Sequence, residues 1–310
     1  MKNNIKISPF GNLLVYQKGY TSDFVKQSIE KNKLNGLRIF DHLDKLESLD
    51  FLSDYSFLIE LSIDCMHDQN YSFLKNLINL KHLSIGPSTT NNNEIVLNAL
   101  INLESFAISW RKGKILGLEN CQKITDLCLI EYKENNFTPV QMLTNLKTLR
   151  VKTASIKEVS GIENFQELEK LELGNCRSLK NIEGIEKLKK LNDLTLEMCS
   201  KIEDYSYLGG LSNLDELGII DCKGINSIEF LTNLKSLKKL YILGNSDILD
   251  SNMLPAQNIP EVIYGHRQHY NVKIENNELE QRLKENWKKV MESAKNDWLV
   301  YSNGTVRKGF

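Results

Sequence analysis

The sequence predicts an α/β solenoid, a curved parallel sheet of about eleven repeats closed at each end by a cap of different composition. Three observations predict it. An apolar residue followed three and five places on by two more recurs eleven times, with copies 21 to 24 residues apart. Within each copy apolar and polar residues alternate, the pattern of a short half-buried strand. Between copies the apolar residues recur every third position, which suits 3₁₀ turns and extended pieces better than a 3.6-residue helix. A fixed period of this size means one supersecondary unit per repeat, each burying its apolar face only by stacking on its neighbours.

The elements follow in chain order. Residues 1–33 read as an N-terminal cap. Ile5, Ile7 and then Leu13 to Tyr16, placed around Pro9-Phe10-Gly11-Asn12, suggest a hairpin. Thr21-Ser22-Asp23 supplies a helix N-cap for a short helix ending near Lys31. Residues 34–265 read as the solenoid, from Leu34-Leu37-Ile39 to Ile259-Val262-Tyr264, with parallel strands centred near residues 38, 62, 84, 107, 128, 150, 172, 195, 218, 241 and 263. The clearest copy has Leu168, Leu171 and Leu173, then Cys176, then the triplet ladder Leu179, Ile182, Ile185, Leu188. Residues 266–310 read as a C-terminal cap. There Leu279, Leu283, Trp287, Val290 and Met291 form one stripe of an amphipathic helix over 276–296, and Asn303-Gly304 offers a hairpin turn. That helix either covers the open end of the stack or meets a partner.

The pattern L-x-x-L-x-L-x-x-C/N-x-x-L resembles the short 22-residue class of leucine-rich repeats found in bacterial internalin-like proteins. The resemblance implies a leucine-rich repeat solenoid whose parallel strands line a concave recognition face. The consensus asparagine is replaced by Met66, Ser88, Tyr132 and Ala154 in several copies, so those turns need other support. Cys176, Cys199 and Cys222 occupy one slot in three successive repeats. They are expected as a buried, reduced column, since thiols stacked at strand spacing do not converge on a metal.

Composition narrows the function. Thirty-nine basic residues stand against forty acidic ones, which argues against a polyanion-binding surface and so against nucleic acid. The N-terminal stretch has no apolar signal region and no run is long enough for a membrane span, so a cytoplasmic location is expected. No phosphate loop, nucleophile elbow or zinc-protease motif occurs, and no cofactor is expected. Cys65, His67 and Asp68 follow one strand and should fan apart along its turn. His266 and His269 lack an evident third ligand.

Strand parity names the outward residues of the concave face. Glu172, Asp193, Glu197 and Glu216 are expected as an acidic cluster beside Arg150, Lys152 and Lys170. Ile220, Tyr241, Leu243 and Ile263 place apolar groups where a solvated face carries polar ones; a partner covers them, the terminal helix or hairpin folds over them, or the second outward column is partly buried at the strand edge. The reading is a non-enzymatic protein-binding module, monomeric before it meets a protein partner. Within that class an inhibitor or immunity-type protein that neutralises a bacterial protein such as a toxin is favoured. The alternative is an internalin-like surface or secreted adhesin or effector.

Overall fold

The computed structural model describes residues 4–41, 46–88, 90, 92–274, 299–300 and 306–307. A thirteen-stranded sheet runs through the chain in sequence order. Its strands are β1 (Ile5–Ser8), β2 (Gly11–Val15), β3 (Gly36–Phe40), β4 (Glu60–Asp64), β5 (His82–Ile85), β6 (Ser105–Ser109) and β7 (Asp126–Tyr132). They continue as β8 (Thr148–Ala154), β9 (Lys170–Gly174), β10 (Asp193–Glu197), β11 (Glu216–Ile220), β12 (Lys239–Leu243) and β13 (Glu261–Tyr264). All eleven expected strands are present as β3 to β13, and every neighbouring pair among them is parallel.

The register explains the leucine spacing. Leu171, Leu194, Leu217 and Leu240 lie opposite one another, as do Leu173, Leu196, Ile219 and Ile242. These side chains form a continuous core that no single repeat could enclose. The triplet ladder is a hydrogen-bond ladder. Leu52 N–H donates to Leu49 O, Tyr55 to Leu52 and Leu58 to Tyr55, at 3.0, 2.9 and 3.0 Å, the i→i+3 pattern of 3₁₀ structure. A period of three thus keeps every third side chain inward along the return segment, as in the 3₁₀ turns Ile162–Asn164 and Ile185–Lys187.

Two devices close the turns. The first is a left-handed residue two places after the last inward strand position. Glu131, Thr153, Asn175, Met198 and Asp221 have φ between 52° and 61°, and Gly244 has 65°. This twist aims Asn175 N–H at Glu197 O and Met198 N–H at Ile220 O, each at 2.8 Å, tying one repeat to the next. The second is an asparagine just before the first leucine of a repeat. Asn79, Asn102, Asn145 and Asn213 donate side-chain amide hydrogens to Ser56, Ile78, Gln122 and Lys189 carbonyls at 2.9, 3.1, 2.9 and 2.6 Å. These asparagines stabilise the stack from another position than the consensus slot that the sequence pattern emphasises.

The cysteine column is buried and its thiols are free. Cys199 and Cys222 reach back to Leu173 O and Leu196 O at 3.3 and 3.4 Å, one repeat earlier. The Cys199 thiol is pushed up to about 12 by its contact with Cys176, with burial adding to it.

The N-terminal segment extends the sheet. Strand β2 pairs in parallel with β3, and β1 folds back on β2 in an antiparallel hairpin. Helix α1 (Ser22–Asn32) follows, with the Thr21 hydroxyl accepting from Phe24 N–H as its N-cap. The helix expected over 276–296 and the Asn303-Gly304 turn lie outside the described residues. The flanking strands Leu299–Val300 and Val306–Arg307 pair antiparallel.

Candidate functional site

The outward side chains of β7 to β13 bring the expected site residues onto one sheet face. Cross-strand register sets Arg150 beside Glu172, Lys152 beside Gly174, Gly174 beside Glu197, and Glu197 beside Ile220. Beyond them Gly218 faces Tyr241, Tyr241 faces Ile263, and Ile220 faces Leu243. Basic, acidic and apolar members therefore follow one another along the solenoid axis.

The acidic members are not a bare cluster. Lys170 Nζ lies 2.6 Å from Asp193 and 3.1 Å from Glu172, while Lys239 lies 2.9 Å from Glu216. Burial works against the Lys170 charge, yet its hydrogen bonds to Asp193 and Glu172 hold its pKa above the ordinary lysine value. Arg150 is set against Asp126 at 2.7 Å. Parity placed Lys170 beside the acids but did not name Lys239 or Asp126, although Lys170, Asp193, Glu216 and Lys239 follow one another across the strands in a single outward column. Glu197 and Lys152 are exposed and form no ion pair among the described residues.

Gly174 stands between those two exposed charges. A Cβ there would meet nothing closer than Val151 O at 3.5 Å, so its absence leaves real space. The result is a hollow of about 450 Å³ lined by Lys152, Glu172, Thr195, Glu197 and Met198. On its far side Ile220, Tyr241, Leu243 and Ile263 are each half-buried. The Tyr241 hydroxyl donates to Glu261 Oε1 at 3.0 Å, which fixes the ring on the face.

The other candidate chemistry disperses. The Cys65 thiol is buried and pushed up to about 12 by that burial, the opposite of an activated nucleophile. His67 contacts Asp41 at 3.2 Å, whereas Asp68 pairs with Arg111 at 2.6 Å. His269 lies against Asp247 and His266 packs by Tyr264. Among the described residues no group of three His, Cys, Asp or Glu side chains is placed to hold a metal ion. No helix among them is long and apolar enough to cross a membrane.

Two features escaped the sequence reading. The Arg111 guanidinium is fully enclosed, bonded to Asp68, to Asn93 O at 3.0 Å and to Tyr71 Oη at 3.2 Å, and it ties Asn93 to the stack. At the N-terminal end the hairpin tip leans over the same open face, with Phe10 stacked on His82 at 3.8 Å between ring centroids. Neither contact has a local sequence signal.

No protein-family model and no curated protein matches the sequence. Solved structures do. An internalin, InlF, from Listeria monocytogenes aligns over 76% of this chain and 68% of its own at 20% identity, with a TM-score of 0.59. The functional domain of InlJ from the same organism, described as including a cysteine ladder, aligns over 76% and 52% at 16% identity and a TM-score of 0.53. TLR13 in complex with ssRNA13 aligns over 81% of this chain and 39% of its own, again at 20% identity and a TM-score of 0.59. The aligned part thus spans about half or less of the last two proteins. The fold is the leucine-rich repeat solenoid, of the kind internalins have.

Proposed function

We propose that the chain is a non-enzymatic module that grips one protein partner on the open sheet face between β8 and β13. The observation that carries this is the sequence of surfaces there. A charged hollow floored by Gly174 adjoins the half-buried apolar group Ile220, Tyr241, Leu243 and Ile263. Apolar anchors beside a polar rim are the anatomy of a protein-binding hot spot. Lys152 and Glu197 would orient the partner and set its on-rate.

Within that reading, an inhibitory or immunity-type role in the cytoplasm of a bacterium is favoured over a scaffold, a preference that rests on fold-level analogy. An exported internalin-like adhesin is the second reading, supported by the likeness to InlF and InlJ. Recovery of the partner from the native organism decides between them. With that partner in hand, Tyr241→Ala should weaken binding by about 2 kcal/mol or more and leave the unfolding midpoint nearly unchanged. A loss of stability without loss of affinity would remove Tyr241 from the interface.

A further inference from the structure

The hollow beneath the N-terminal hairpin has an unusual charge arrangement. It measures about 190 Å³ and is lined by Ser8, Phe10, Arg38, Glu60, His82 and Asp126, among others. Glu60 is only 5% exposed. The Ser8 hydroxyl approaches its carboxyl group, but among the described residues Oε2 has no hydrogen-bond partner and Glu60 forms no ion pair. Burial pushes its pKa above the ordinary glutamate value. An uncompensated buried carboxylate is among the costliest groups a fold can carry.

The neighbouring groups do not supply the missing charge. Arg38, which lines the hollow, keeps its Nε buried without a hydrogen-bond partner among the described residues and turns Nη2 toward Asp64 at 3.5 Å, while Arg150 is turned toward Asp126 at 2.7 Å. His82 sits beside Glu60 in the cross-strand register. Its pKa is lowered by burial, so the ring is neutral at neutral pH, and its Nδ1 is also buried without a partner. Two buried acceptor positions therefore face one hollow: Glu60 Oε2, and His82 Nδ1 in the tautomer that protonates Nε2.

We propose that this hollow docks a cationic side chain, an arginine or lysine presented by the protein partner, with Glu60 as its anionic receptor. The inserted N–H groups satisfy Glu60 Oε2 and His82 Nδ1 together, and the Phe10 ring adds an apolar roof over the alkyl stem. The hairpin then acts as a fixed hood that shapes the opening. This rests on the reading that the open face holds a protein. Its test, however, needs no partner, so it can fail while the Tyr241 surface stands.

The experiment titrates the full chain with agmatine and with n-butylamine, using butyramide and butyrate as neutral and anionic controls, and follows backbone amide shifts by NMR. Both cations should give saturable shifts at Ser62, Ser84 and His82. Glu60→Gln should weaken them at least about tenfold, the scale of one charged hydrogen bond. Ser62→Trp, which fills the hollow from the next outward position and keeps the Glu60 carboxyl group, should abolish them and covers the case in which Glu60→Gln does not fold. Absence of saturable shifts, equal binding by Glu60→Gln, or tighter binding of butyramide or butyrate would overturn the assignment.

Discussion

Leu194 is fully enclosed between the strands of its neighbours, opposite Leu171 and Leu217. Leu194→Ala should cost about 2–5 kcal/mol, since the cavity cannot collapse in a stack held on both sides. Denaturant unfolding measures it, and a loss below about 1 kcal/mol would place the side chain elsewhere. Asp68 makes a different point. Burial opposes its charge, but the Asn93 and Asn92 N–H groups and Arg111 together hold its pKa below the ordinary carboxylate value. Its stabilisation is therefore complete above the unfolded-state pKa and is lost as pH falls through the lower folded value. Asp68→Asn should destabilise the chain by about 3–5 kcal/mol at neutral pH, because Arg111 stays buried without its counter-charge. The same variant should show a shallower loss of stability on acidification; an unchanged acid limb would show that Asp68 titrates normally. The leucine position is legible in the sequence because burial repeats with the period. The Asp68–Arg111 pair is not, because its members lie 43 residues apart and in no repeating slot.

At the scale of elements, the parallel strands and 3₁₀ returns were readable because each is written many times. The ends are written once, and there the sequence supports less. Residues 4–17 read as a hairpin, but nothing local says that β2 would join β3 in parallel or that Phe10 would reach His82. The hairpin shields the β3 edge, whose free backbone groups would otherwise template pairing with another chain. Removing residues 1–16 should therefore give oligomers at micromolar concentration, measured by size-exclusion chromatography with light scattering. A monomer that unfolds as cooperatively as the full chain would show that the hairpin is dispensable. The acidic cluster was half legible for a similar reason. Parity assigns a residue to a face but does not pair it, so the reach of Lys170 to Asp193 and of Lys239 to Glu216 had to come from the structure.

On the scale of the whole molecule, the sheet ties each repeat to the next, so the fold holds one long surface rigid and leaves function to what that surface displays. The surface is not uniform. It begins under the hairpin hood, passes the Asp126–Arg150 and Lys170–Asp193 rungs, opens at Gly174 and ends in an apolar group around Tyr241. The central claim is that a protein partner lies along this face. The most direct test places a photo-crosslinking side chain at Glu197 or Ile220 on the face, or at Lys187 on the return segment, in the native organism. Glu197 and Ile220 should capture the same single protein, competed away by unlabelled chain but not by Tyr241→Ala, while Lys187 captures none. Capture of that protein from Lys187 alone would contradict the account.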